Sequence, residues 1–248
     1  MKIVDINGYL GYTLGKVEPA FTKDDLLREM DRAGVDTSVV VYFRSVMQVL
    51  DGNADIKEIA DNSNGRIQAC FMVHPYMDDI QMPKDLKRYL KENRPAAVTM
   101  HPKEHKYPFV SRYCGEALKA LEELRIPLFL DVGNVPGYDE KILQIADEYP
   151  NLPIVITKQG YTTSMFMRTA LRTTKNIYLN LGFIENAGEL PQLVHEYGAE
   201  RFLMGSTAGS IAGGTLGLVY LGGYSKEEQE LMLGGNWQRL QEGIRWES

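Results

Sequence analysis

The most constraining feature of this chain is an alternation that repeats eight times: a short β-rich run, then an amphipathic run with helical spacing. That pattern marks a parallel sheet whose strands are joined by crossover helices. The β-rich runs fall at residues 2–7, 37–42, 67–73, 97–101, 127–131, 154–157, 177–181 and 202–205. Helical spacing follows each of them, at 23–33, 56–61, 85–92, 115–124, 140–148, 165–172, 190–197 and 226–243. Thr22, with Asp25 three residues on, reads as a capping box that opens the first helix, and Gly34 stops it. Eight such units close most naturally into a (β/α)8 barrel, the TIM barrel, as a single domain over residues 1–248. An open doubly wound sheet would carry a glycine fingerprint after its first strand. Asn7-Gly8-Tyr9-Leu10-Gly11 has two of those glycines and lacks the third.

Composition narrows the function classes. A hydrophobic share of 44% with 24% charged residues is that of a soluble globular domain able to bury a full core. A net charge of −6 leaves no basic stripe for nucleic acid. Residues 84–91 form the densest cationic stretch, and acids and apolar residues interrupt it, as on a solvated helix face. No apolar run approaches the ~20 residues of a membrane span, and Met1-Lys2 leads straight into a strand without a targeting segment. Cys70 and Cys114 lack metal-type spacing and read as reduced thiols, which points to the cytoplasm.

In a barrel of this kind the chemistry sits at the C-terminal ends of the strands. Several of those ends, in order, are similar to the amidohydrolase-related family of metal-dependent hydrolases. Asp5-Ile6-Asn7-Gly8-Tyr9-Leu10-Gly11 resembles its first-strand motif, Asp-x-His-x-His followed by Leu-Gly. Ala97-Val98-Thr99-Met100-His101-Pro102 resembles its fourth-strand segment with a His-Pro pair. The passage 118–133 looks like the run from its fourth helix into its fifth strand, and Phe202-Leu203-Met204-Gly205-Ser206-Thr207 resembles its Phe-Gly-Ser-Asp ending of strand eight. The tail is similar to its closing helix, with Gly235-Asn236-Trp237-Gln238-Arg239-Leu240 matching a Gly-Asn-x-x-Arg-Leu signature.

The resemblance implies a hydrolase or lyase of small carboxylate- or carbonyl-bearing compounds, and a divalent cation held by His at positions 7, 9, 131 and 158 and Asp at 207. This chain has Asn7, Tyr9, Asp131, Lys158 and Thr207 there. Zinc takes neutral imidazole, thiolate or carboxylate. Asn7 and Thr207 are poor donors, Tyr9 would have to ionise, and Lys158 repels a cation. The expectation is therefore a degenerate member with no metal and no other cofactor.

Lys158 is the most telling replacement. Its ammonium can stand in for the missing cation and bind an anion, act as an amine nucleophile, or simply pair with Asp131. Asp131, at a strand end beside a cation, is expected to keep a low pKa and act as the counter-ion, with general-base work as the other reading. His101 is the surviving acid–base candidate, because an imidazole titrates near neutrality. A packed, hydrogen-bonded histidine is its plainer reading, and His74 faces the same choice. Asn7, Tyr9, His74, Gln159 and Thr207 are expected to line the substrate side of the mouth, with Tyr12, Tyr161 and Phe183 as aromatic walls. Asp5 and His195 read as structural. His101 and His105, four apart, lie on a Pro-flanked loop where helical metal-pair logic does not apply. Ser206 to Ser210 lack the lysine and spacing of a phosphate loop, and Ser206 sits one residue early for a nucleophile elbow.

Two functions follow. The first is a metal-free hydrolase or lyase, Lys158 supplying positive charge and His101 or Asp131 moving protons. The second is a non-catalytic descendant that binds a small anion or a protein partner at the same mouth. Either leaves a homo-oligomer open.

Overall fold

The computed structural model describes residues 2–11, 21–80, 82–159, 163–184, 186, 188–206 and 212–247. Among them, eight strands lie in sequence order in one parallel sheet: β1 (Val4–Leu10), β2 (Thr37–Tyr42), β3 (Ile67–Met72), β4 (Ala97–Thr99), β5 (Leu128–Asp131), β6 (Ile154–Lys158), β7 (Ile177–Asn180) and β8 (Phe202–Leu203). The sheet's two edges meet where Ile6 N–H donates to the Met204 carbonyl at 3.0 Å. The alternation read in the sequence is thus a (β/α)8 barrel.

The helices that wrap it are α1 (Lys23–Ala33), α2 (Arg44–Met47), α3 (Val49–Asp61), α4 (Leu86–Asn93), α5 (Ser111–Leu124), α6 (Tyr138–Glu148), α7 (Ser164–Thr173), α8 (Glu189–Tyr197), α9 (Ala212–Tyr220), α10 (Lys226–Glu230) and α11 (Asn236–Glu242). Among the described residues no helix is long and apolar enough to cross a membrane. Helix α1 starts at the Thr22–Asp25 capping box and ends at Gly34 with φ 71°, a left-handed conformation that glycine adopts without strain. Helices α2 and α9 are additions to the eight expected. The closing run of 226–243, expected as one helix, is α10, a π-helical turn (Leu231–Gly235) and α11.

Alternation along the strands builds two cores. Outward residues such as Val40, Phe71, Leu130, Ile156 and Leu179 pack under the helices. Inward residues including Ile6, Val39, Cys70, Phe129, Val155 and Leu203 fill the barrel, with Trp237 and Leu240 of α11 packed against them. The barrel is a packed core, not a pore.

Two irregularities in the ladder decide what reaches that rim. Between β1 and β2 the register runs Asp5↔Ser38 and then Gly8↔Val40, so β1 carries one extra residue. Between β5 and β6 it runs Leu130↔Ile156 and then Asp131↔Lys158, so β6 carries one extra residue at Thr157. A bulge changes the parity of everything beyond it. Val4 and Ile6 face the interior, yet beyond the bulge Tyr9, opposite Val41, faces it too. Ile154 and Ile156 face the helices, yet Lys158 comes level with Asp131 and shares its inward side.

Candidate functional site

A row of polar side chains crosses four adjacent strand ends. Thr99 is the last residue of β4 and is level with Phe129; the same register carried two residues further would set His101 level with Asp131. The β3–β4 pairing, continued by Val73 N–H to the Thr99 carbonyl at 2.9 Å, sets His74 beside His101. The bulge in β6 places Lys158 on the far side of Asp131. The order is His74, His101, Asp131, Lys158, at about 4.8 Å per strand.

Asp131 accepts the Gly133 N–H at 2.8 Å, at the start of the 3-10 turn Val132–Asn134. Burial raises its carboxyl above the usual range; the Gly133 N–H and then the charges of Lys158 and Lys103 pull it back only in part. The expected low-pKa counter-ion is therefore corrected. Lys158 itself is exposed, so its charge is diluted by solvent and desolvation of the acid prevails. Among the described residues no ion pair of 4 Å or less joins the two, and the tight Lys158–Asp131 bridge is not formed.

His101 also departs from expectation. Its pKa is pushed down to about 4, first by burial and then by the neighbouring His105. It is a neutral imidazole across the physiological range, able to accept a proton and poorly able to hold one. Its Nδ1 lies 3.9 Å from Glu104. Glu104 is fixed by Asn134, whose amide nitrogen, turned to face it, donates to both carboxylate oxygens at 2.7 and 3.0 Å. Lys103 N–H donates to the Asn134 carbonyl at 3.0 Å, which ties the loop after β4 to the turn after β5. His74 is likewise held below the usual imidazole range, by burial and then by His105.

On the opposite rim, Asn7 and Tyr9 are half-buried. The Tyr9 ring packs edge-on against Phe43 at 5.1 Å and against Phe21 at 6.3 Å. Gln159 is fully buried; its Nε2 donates to the Asn180 carbonyl, and its Oε1 has no hydrogen-bond partner among the described residues. Asn180, which the sequence reading passed over, closes an otherwise apolar strand. It donates to the Thr157 carbonyl at 2.8 Å across the β6 bulge and accepts the Gly182 N–H at 3.0 Å. Thr207, Tyr12 and Tyr161, and the side chain of Phe183, lie outside the described residues. The exposed His195, on α8, is remote from this rim. Among the described residues, no three His, Cys, Asp or Glu side chains converge as a bound metal ion would require.

The amidohydrolase family profile matches residues 17–208, more than three-quarters of the chain, beginning after the first-strand motif. This chain belongs to the amidohydrolase family. No curated protein matches its sequence. Solved structures share its fold over nearly their whole length. A TIM-barrel protein of Bordetella bronchiseptica is 17% identical, with 98% of this chain and 99% of that one covered and a TM-score of 0.77. Dihydroxybenzoic acid decarboxylase of a Polaromonas species, solved with manganese and 2-nitroresorcinol, is 14% identical, with 97% of each chain covered and a TM-score of 0.73. 4-Oxalomesaconate hydratase of Rhodopseudomonas palustris is 15% identical, with 97% and 96% covered and a TM-score of 0.71.

Proposed function

We propose that this chain acts on a small carboxylate- or carbonyl-bearing compound as a hydrolase or lyase, without the divalent cation used elsewhere in its family. The donor chemistry supports the metal-free reading. The amide of Asn7 and the phenol of Tyr9, its ring wedged between Phe21 and Phe43, replace two imidazoles, and Lys158 puts a positive charge where a third would stand. Only Asp131 remains a good ligand, so the set does not fit the ion.

The observation that carries the proposal is the β6 bulge, which turns Lys158 to the mouth beside Asp131. Lys158, with Lys103 near, supplies the positive charge that holds the substrate's carboxylate or polarises its carbonyl. Asp131, its pKa raised, moves the proton, and the neutral His101 beside it is a second acceptor. Similarity to decarboxylases and a hydratase of small carboxylic acids agrees with that substrate class. A second reading, anion binding without turnover, draws on the exposure of Lys158, which suits a docking charge better than an amine nucleophile.

Benzoate serves as the first probe, followed by calorimetry. Lys158→Met should weaken its binding by ~10-fold or more while the melting temperature stays within a degree or so. Full affinity in the variant would remove the anion role. Elemental analysis after exposure to zinc and manganese tests the other half: stoichiometric metal overturns the metal-free reading.

A further inference from the structure

The face of the barrel opposite the mouth carries a cleft of about 270 Å³, where β3 and β4 begin and α3 and α4 end. Its walls include Gln68 of β3, Asn93 of α4, Gln241 of α11 and the half-buried Trp246 of the tail. Each of the three amides is held by one end. Gln68 Oε1 accepts the Trp237 Nε1–H at 2.9 Å. Gln241 Nε2 donates to the Ala96 carbonyl at 2.9 Å, and Asn93 Nδ2 donates to the Tyr89 carbonyl at 2.9 Å. An indole N–H only donates and a carbonyl only accepts, so these bonds fix which way round each amide lies. Among the described residues the unused ends are the amide nitrogen of Gln68 and the side-chain oxygens of Asn93 and Gln241.

The charges around the cleft are balanced. Lys57 Nζ lies 2.7 Å from the Asp61 carboxylate, and the Arg94 guanidinium lies 3.6 Å from Glu247. An incoming cation would meet Lys57 and Arg94. An incoming anion would meet the C-terminal, partially negative ends of α3 and α4. A neutral molecule meets neither penalty. The unused amide ends come from three different elements, so they surround an occupant instead of lining one edge of it. A hydroxyl donates and accepts at one oxygen, and a ring of hydroxyls can satisfy scattered donors and acceptors. A planar base keeps its polar atoms on one edge. The C–H face of a saturated ring also packs well on an indole, whose π face is the negative side of its quadrupole. The volume lies just under the ~300 Å³ at which drug-sized pockets begin, which is room for one ring.

We infer that this cleft binds a neutral polyhydroxylated ring of monosaccharide size. Gln68 donates to it, Asn93 and Gln241 accept from it, and Trp246 stacks on its C–H face. Barrels of this kind keep their chemistry at the other end, so the ring is held there and not turned over. The inference is independent of how the mouth is read.

The test uses the full chain labelled with nitrogen-15 at its two tryptophans, whose indole resonances are assigned with Trp246→Leu. D-Glucose should move the Trp246 indole saturably, with a Kd of about 1–30 mM for so small a ligand. The Trp237 indole should follow, because it is bonded to Gln68. Cyclohexanol, with a single hydroxyl on a ring of the same size, should leave both in place. Gln68→Glu keeps an acceptor for Trp237 and removes the donor; Gln241→Lys keeps a donor for the Ala96 carbonyl and removes the acceptor. Each should weaken glucose binding ~10-fold or more while the melting temperature stays within about two degrees. The wild-type comparison of glucose with cyclohexanol decides the matter even where a variant is destabilised. No response to glucose, an equal response to cyclohexanol, or tighter binding of glucose 6-phosphate or of uridine would each overturn the inference.

Discussion

His101 shows how single residues at this rim trade stability for chemistry. Its imidazole is pushed to about 4 in the folded chain against about 6.5 when unfolded, because burial strips the charged form of solvent and the neighbouring His105 opposes a second charge. A depressed pKa means the stabilising neutral state is fully present above 6.5 and is lost as pH falls through 4. The native state therefore forfeits on the order of 3 kcal/mol across that window. His101→Gln should flatten the acid limb of a pH–stability curve from denaturant melts, whatever its effect at neutrality. If the limb stays as steep, the charge cost lies on another group. Asp131 has the opposite sign. Its raised pKa makes the ionised form the disfavoured one, so this acid at the end of β5 and this imidazole just past the end of β4 are both biased towards neutrality. A pair in that condition is suited to passing one proton.

At the scale of elements, the ladder bulges do what no helix does, since they select which side chains face the mouth. Local chemistry predicts α1 from end to end because its cap, stop and apolar spacing all lie within its own segment. Strand β2 was equally readable, as a continuous run of β-formers. The bulges were not legible, because Thr157 looks like any strand residue until Asp131 pairs with Lys158 across the gap. Helix α9 was missed for a related reason: its Gly-rich segment has poor helix propensity and is held by tertiary contacts. The mouth was readable as a list of strand-end residues. The cleft on the opposite face was not, since its amides gather from β3, α4 and α11, and Gln68 is held by the Trp237 indole 169 residues away. The π-turn offers an element-scale test. A Cβ on Gly234 would sit 2.1 Å from the Lys2 carbonyl oxygen, so the closing helix can lie against β1 only with glycine there. Gly234→Ala should cost about 2–3 kcal/mol in denaturant melts. A change under ~0.5 kcal/mol would mean that the contact relaxes freely.

A barrel must also close, and over the whole molecule that closure runs through one buried acid. Asp5 on β1 accepts the Ser206 N–H at 2.8 Å, the Ser206 hydroxyl and the Asn7 N–H at 2.9 Å. Those contacts bind the first strand to the segment after the last, some 200 residues away. Burial raises the carboxyl's pKa, and the Ser206 hydroxyl is the largest of the contacts opposing it. The same linkage fixes the bulged end of β1, and with it Asn7 and Tyr9, to the rim of the mouth. Ser206→Ala removes one donor without adding bulk, leaving the carboxylate less compensated. The variant should lose about 2–4 kcal/mol at neutral pH. Removing the donor raises the folded pKa of Asp5 further, so the deficit should shrink as pH falls and the acid becomes protonated in both proteins. Paired melts of wild type and variant across pH read this directly. A deficit that does not change with pH would assign the loss to packing, and the barrel's closure would then rest on the backbone bond from Ile6 to Met204.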